Sequence, residues 1–218
     1  MSFALLNFDE LESALVSNSP YTYMVAKNVI NIDKKDIISI DYPQIKSAGF
    51  FPLESIKYEG VFKNLIQELQ APKLADILTK KLKIELKDKP FMITIRRWST
   101  KSDGRIHNDS KSKIVTALLY LNDNWLQGKD GGSFRVLKDK KTFESAAAII
   151  PPEFGSFVVF VRSENSWHGH MPFEGERRVI QITWLNSIED IERKNKRGKL
   201  TLFLKNIFSR PVNVGITN

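Results

Sequence analysis

The chain has no cysteine. That excludes a disulfide framework and any thiolate metal site, and it fits a reducing compartment. Histidine is almost as scarce, with three residues in 218. Long apolar runs are missing too: "FVVFV" at 157–161 is strand-length, far short of the roughly 20 residues a membrane span needs. The start, "MSFALLNFDELESAL", carries acids early and no basic stretch before an apolar run, so it does not read as a secretory signal. These absences lead to the expectation of a cytoplasmic protein. Apolar residues make up 42% and charged residues 27%, the balance of a soluble globular chain. The length suits one domain with a real core, residues 1–218.

The net charge of +8 is unevenly spread. Residues 187–218 carry seven Lys/Arg against three Asp/Glu, half of the whole excess. The body is only mildly basic, which argues against a broad nucleic-acid surface and for a local basic feature. In this segment Leu200, Phe203, Leu204, Ile207 and Phe208 recur at helical spacing, with Lys199 and Lys205 among the polar positions. Such a pattern over 193–210 can lie on an anionic membrane surface. Its plainer reading is a C-terminal helix that packs on its own protein.

Along the chain, texture changes near residue 90. Residues 5–17 have helical apolar spacing. "PYTYMVAKNVI" reads as a strand, and 31–59 give no firm pattern. Val61, Phe62, Leu65, Ile66 and Leu69 fall on one helical face, and a second helix opens at Pro72. From Pro90 the runs are short and apolar or alternating: "FMITIRRW", "KIVTALLYL", "GSFRVL", "AAIIPP", "GSFVVFV" and "RRVIQITWL". Gly, Asp, Asn and Pro separate them, the pattern of a β sandwich or barrel. The predicted organisation is therefore helical and strand support over 1–89, a β core over 90–186, and the basic segment over 187–218.

Two segments hold the three histidines. In "DGRIHNDS", His107 and Asp109 stand two apart and share one side of an extended chain, so both can reach one ion. A distant second histidine would complete two imidazoles and a carboxylate, the facial triad of non-heme iron sites. H-x-D alone is common as a loop histidine beside an acid. The other segment, "SENSWHGHMPFEGERR", supplies His168 and His170 and then Arg177 and Arg178. Read as a strand, "RRVIQITWL" puts Arg178, Ile180, Ile182 and Trp184 on one face, and Arg177, Val179, Gln181 and Thr183 on the other. A guanidinium on the apolar face needs an anion. A small dicarboxylate bound in bidentate fashion would serve. So would an internal salt bridge, or escape to water at the strand mouth. In "KIVTALLYL", Val115, Ala117, Leu119 and Leu121 form an apolar face. Ile114, Thr116, Leu118 and Tyr120 form one with two hydroxyls, suited to a polar ligand, although a strand-end tyrosine also commonly meets water.

The ordered set H-x-D, "LLYLNDNW", "GGSF", "PPEFGSFVVF", "SWHG" and "GERR" resembles the Fe(II)- and 2-oxoglutarate-dependent dioxygenases, in their prolyl-4-hydroxylase-like branch, and looks most like bacterial-type members. The resemblance runs from about Phe91 to Leu185. It implies an α+β, mainly β chain with a double-stranded β-helix (jelly-roll) core, N-terminal supporting helices and a C-terminal helix. Carried over by position, His107, Asp109 and His168 match the metal ligands. Arg178, ten beyond His168, matches the basic residue that binds the far carboxylate of 2-oxoglutarate, with Tyr120 and Thr116 beside it. His170, Arg105, Trp98, Trp125 and Arg177 become supporting or substrate-side residues. The implied cofactor is Fe(II), with 2-oxoglutarate and O2 as cosubstrates. The implied reaction is hydroxylation of an unactivated C–H bond with release of succinate and CO2. The base-demethylating branch uses R-x5-R. Six beyond Arg177 and Arg178 stand Thr183 and Trp184, which disfavours nucleic acid. Asp109 argues against the halogenating branch. The substrate class, whether a peptidyl residue, a cell-surface glycan or a small molecule, is not legible, and neither is the oligomeric state. Two other classes fit the residues: a non-catalytic jelly-roll binding module, and a metal-dependent cupin-like enzyme that does not use 2-oxoglutarate.

Overall fold

A computed structural model describes residues 4–125, 131–194 and 196. The elements run α1 (Phe8–Ser13), β1 (Val16–Ser17), β2 (Tyr23–Ala26), α2 (Lys35–Ile40), β3 (Phe51–Pro52), α3 (Gly60–Gln70), α4 (Pro72–Leu82), β4 (Phe91–Ser99), β5 (Lys113–Tyr120), β6 (Phe134–Leu137), β7 (Ala146–Ile150), β8 (Phe157–Val161), β9 (His168–Gly169) and β10 (Gly175–Leu185). The strands form two antiparallel sheets. The larger has the order β1-β2-β8-β5-β10-β4-β3 and the smaller β7-β6-β9. With the helices against one side, this is a double-stranded β-helix core of the α+β, mainly β kind.

Period-3.6 spacing decides α3. Phe62, Leu65, Ile66 and Leu69 are all buried, while Lys63, Asn64 and Gln67 are exposed. Pro72 lacks the N–H needed to continue α3 and opens α4 in its first turn. Leu74, Ile77, Leu78 and Leu82 of α4 are buried in the same cluster. Each large apolar side chain buried this way contributes about 1.5–3 kcal/mol.

The large sheet has a core on each face. Against the helices pack Ile93 and Ile95 of β4, Val115, Ala117 and Leu119 of β5, and Ile180, Ile182 and Trp184 of β10. The opposite face forms a separate cluster with the small sheet: Leu118 and Tyr120 of β5, Val158 and Phe160 of β8, Val179 of β10, and Phe134 and Val136 of β6. The wholly apolar set in each central strand therefore points to the helices. The mixed polar–apolar set points between the sheets.

Some sequence expectations change. The helix expected over 5–17 is only Phe8–Ser13, because Val16–Ser17 pair with β2 instead. The strand expected after Pro20 shortens to Tyr23–Ala26. The patternless stretch 31–59 holds α2, β3 and two short 3₁₀ turns. β1, β2 and β3 extend both ends of the large sheet, so the first 89 residues contribute strands as well as a helical layer. A helical stretch begins at 188, but most of the predicted C-terminal helix and of the 193–210 membrane-contact pattern lies outside the described residues. Among the described residues, no helix is long and apolar enough to cross a membrane.

Candidate metal centre

His107 and His168 are brought together by backbone pairing. His107 N donates to His168 O and His168 N donates to His107 O, both at 3.0 Å. The two rings consequently lie side by side, with centroids 4.3 Å apart. Asp109, two residues past His107, turns to the same side. One ligand atom from each of His107, Asp109 and His168 lies within 4.8 Å of the others, a group that could hold a metal ion.

The donor atoms are prepared for that task. His107 Nδ1 lies 2.8 Å from Arg105 O, and His168 Nδ1 lies 2.8 Å from Ser166 O. A carbonyl only accepts, so each Nδ1 carries the proton and each Nε2 keeps its lone pair. Burial against Phe160 and Phe134 pushes the His168 pKa down to about 4 despite the nearby Asp109 carboxylate, so the ring is neutral at ordinary pH. Burial works to raise the Asp109 pKa. The Lys113 ammonium, His168 and hydrogen bonds from Lys113 and Thr116 outweigh it and hold the carboxyl at about 2. Lys113 Nζ donates to Oδ1 at 2.6 Å and Thr116 Oγ1 to Oδ2 at 2.8 Å. Each carboxylate oxygen has a second lone pair, so these bonds leave ligand capacity. Two imidazoles whose Nδ1 atoms face carbonyls, and one ionised carboxylate, fit a divalent iron.

The triad lines a cavity of about 330 Å³ together with Phe50, Arg96, Lys113, Thr116, Leu118, Phe134, Phe160, His170, Arg177 and Gln181. One wall is apolar, from Leu118, Phe134 and Phe160. The other carries the cations.

Residues 94–186 match the family model described as the 2OG-Fe(II) oxygenase superfamily. Over that stretch, the chain is similar to this superfamily. Its fold is shared with prolyl 4-hydroxylases. A structure of the Phytophthora capsici enzymes is 18% identical with a TM-score of 0.54, covering 87% of this chain and 70% of that one. The Pseudomonas putida prolyl-4-hydroxylase is 19% identical with a TM-score of 0.53, covering 82% and 96%. The collagen prolyl hydroxylase of Paramecium Bursaria Chlorella virus-1, in a 2-oxoglutarate complex, is 17% identical with a TM-score of 0.52, covering 76% and 96%. No curated protein matches the chain.

This similarity makes the position of the arginine expected beside the triad important, and here the sequence expectation needs correction. Arg178 does not line the triad's cavity. Its guanidinium is held by Asp123 at 3.1 Å and Glu176 at 2.9 Å, and lies over the Tyr42 ring. It lines a different cavity of about 420 Å³ with Trp125 and Phe173. Arg177, only 3% exposed, lines the triad's cavity together with Arg96. Arg177 Nε donates to Gly132 O at 2.9 Å and its Nη2 to the Tyr120 hydroxyl at 3.2 Å. The physical reason is register. Val179 pairs with Tyr120 across β10 and β5, and cross-strand partners share a face. Arg177, two residues before Val179, falls on the Tyr120 side and Arg178 on the other. The register against β4 also shifts by one residue between Glu176 and Val179, a bulge that brackets both arginines.

The remaining expectations separate clearly. Thr116 lines the cavity and bonds to Asp109, whereas Tyr120, on the same face of β5, is buried in the core cluster and reaches the cavity only through its bond to Arg177. Burial raises the Tyr120 pKa against the lowering effect of Arg177, so its hydroxyl stays protonated. His170 lines the cavity and is 5% exposed. Burial and then Arg177 push its pKa down to about 3. Trp98 donates its indole N–H to Ile45 O and Arg105 is exposed. Neither lines the triad's cavity, and Trp125 lines the second one. The sequence pattern does not single out Arg96, Lys113 or Gln181. The available signal for Arg96 and Gln181 was their place on the polar alternation of β4 and β10, opposite Ile93–Ile95 and Ile180–Ile182.

Proposed function

We propose that this chain is an Fe(II)- and 2-oxoglutarate-dependent oxygenase that hydroxylates an unactivated C–H bond, with His107, Asp109 and His168 as the iron ligands. The observation that carries the reading is the convergence of three prepared ligand atoms in a cavity that also contains Arg177 bonded to Tyr120. Bound iron and the keto acid would supply the oxidising chemistry, with O2 consumed and 2-oxoglutarate converted to succinate and CO2.

The chain's own residues do the rest. The Ser166 and Arg105 carbonyls fix the imidazole tautomers. Lys113 and Thr116 orient Asp109 and keep it ionised. Arg177 offers a planar fork to the far carboxylate of 2-oxoglutarate, and only two of its five N–H donors are used by Gly132 and Tyr120. Leu118, Phe134 and Phe160 keep water away from that charge pair, which strengthens it. Arg96, His170 and Gln181 remain for the substrate.

The test is anaerobic addition of Fe(II) and then 2-oxoglutarate to the full chain. The expected result is the weak visible charge-transfer band of the chelate, followed by succinate once air is admitted. Absence of both would defeat the reading and favour a non-catalytic binding module. Metal-dependent turnover of a substrate without 2-oxoglutarate would favour a cupin-like enzyme.

A further inference from the structure

Two buried polar groups of the cavity are explained by the triad and the keto acid: Thr116 and Arg177. Two are not. His170 Nδ1 lies 2.8 Å from Met171 O. The carbonyl takes the ring proton there, so in the neutral ring Nε2 presents a lone pair. That atom is buried and has no protein partner. Arg96, 7% exposed, uses Nη1 on Ser99 at 3.2 Å and Nη2 on Asp103 at 3.1 Å. Its Nε–H is also buried without a protein partner. Both side chains line the triad's cavity. An unmet buried donor or acceptor costs about 1–3 kcal/mol, and such groups are rare unless something fills them.

The arrangement is built rather than loose. Gly104 has φ +80°, and a Cβ there would meet three atoms of the His170 ring at 2.3–2.4 Å. Gly104 O also accepts from His170 N at 2.8 Å. The imidazole is thus pressed onto bare backbone. The Arg96 guanidinium lies 4.3 Å above the Phe50 ring and its charge is already matched by Asp103.

We propose that His170 and Arg96 form a substrate subsite beside the triad that takes a neutral group able both to donate and to accept a hydrogen bond, a hydroxyl or a carboxamide. The occupant gives a hydrogen to His170 Nε2 and accepts one from Arg96 Nε. A carboxylate or a phosphate dianion has no hydrogen to give. An ammonium has no lone pair and would meet Arg96 and Arg177. 2-Oxoglutarate, with acceptors only, leaves His170 unmet, so the pair is distinct from the cosubstrate's contacts. The assignment to substrate rests on the oxygenase reading above.

With only three histidines, the full chain can be tested by ¹⁵N-histidine NMR, with Zn(II) replacing iron and 2-oxoglutarate present. Zinc is expected to move the Nε2 signals of two histidines and leave the third as an unprotonated ring nitrogen. Saturable addition of acetamide or 1-propanol should then move that third Nε2, while acetate and tetramethylammonium should not. A larger response to acetamide points to an amide-bearing substrate, and a larger response to propanol to a hydroxylated one. Arg96→Lys keeps a cation for Asp103 but removes the Nε–H, and should weaken probe binding on the order of 10-fold. If two histidines bind zinc and no probe moves the third, water alone fills the pair and the subsite is wrong while the oxygenase reading stands. A response to acetate alone, or a proton on the third Nε2, overturns the subsite in the same way. If zinc moves no histidine, the oxygenase reading fails and the substrate assignment falls with it.

Discussion

Arg177 and Tyr120 are joined across β10 and β5 by a 3.2 Å hydrogen bond, with the guanidinium carbon 5.1 Å from the tyrosine ring. The neighbouring Arg178 faces the other way into two carboxylates. The two arginines are therefore separable by experiment. Arg177→Leu should weaken 2-oxoglutarate binding on the order of 100-fold, the scale for losing one partner of a buried charge pair. Arg178→Leu should leave that affinity within about threefold and instead lower stability by about 1–3 kcal/mol. Titration of the charge-transfer band and thermal melts of both variants distinguish these outcomes. Equal loss of affinity in both would reject the assignment.

His168 and His170 also separate. His168→Ala removes one of three ligand atoms and should reduce Fe(II) affinity by more than about 100-fold, beyond what loss of an outer partner does. His170→Ala should retain iron. Equilibrium dialysis against Fe(II) under argon gives the comparison, and lost iron in the second variant would contradict it.

Gly104 holds its place by shape. Gly104→Ala puts a methyl into the His170 ring and a side chain at φ +80°. The expected cost is about 1–3 kcal/mol, or roughly 2–12 °C in melting temperature for a chain of this size. A melt unchanged within a degree would show that the ring is free to move.

Acid should weaken the metal-free fold from two sources. His168 and His170 stay neutral down to about 4 and about 3 when folded, whereas an unfolded histidine takes up a proton near about 6.5. The unfolded chain therefore binds more protons between those values, and stability falls as pH drops from about 6.5. Asp109, held at about 2, adds stability that is present above its unfolded value and is lost as pH falls through about 2. Melts in chelator between about pH 7 and pH 5 should decline, and His170→Phe should make that decline shallower. A flat profile would contradict buried neutral imidazoles.

Much of this was readable from residue spacing. Phe62–Leu65–Ile66–Leu69 marked α3, the β runs after Pro90 marked the core strands, and the His107–Asp109 pair stood out by its i, i+2 spacing. The arginine was misjudged for a definite reason. An apolar face suggests an interior, but this sheet has two interiors. Ile180, Ile182 and Trp184 are buried against helices, while Arg177, Val179 and Gln181 point between the sheets, where Arg177 and Gln181 line the triad's cavity. In β5 the face with the two hydroxyls was read as the cavity side, Thr116 and Leu118 of it do line the cavity, and cross-strand register requires the same choice in β10. Arg96 follows the same rule on β4. Lys113 carried no such signal, because its role depends on a turn bringing it back onto Asp109. Nor did 31–59, where no period lasts long enough to register.

The reciprocal backbone bonds between His107 and His168 have a consequence beyond placing two rings. His168 begins β9 of the small sheet, and His107 lies in the segment leading into β5 of the large one. The seam that closes the sandwich is thus also the seam that assembles the ligands. Any fluctuation that parts the layers there separates His107 from His168 in the same motion, so the fold works as an interlock between its two sheets and this side-chain cluster. Metal occupancy should accordingly slow exchange of the His107 and His168 amides, coupling the integrity of the fold to its cargo.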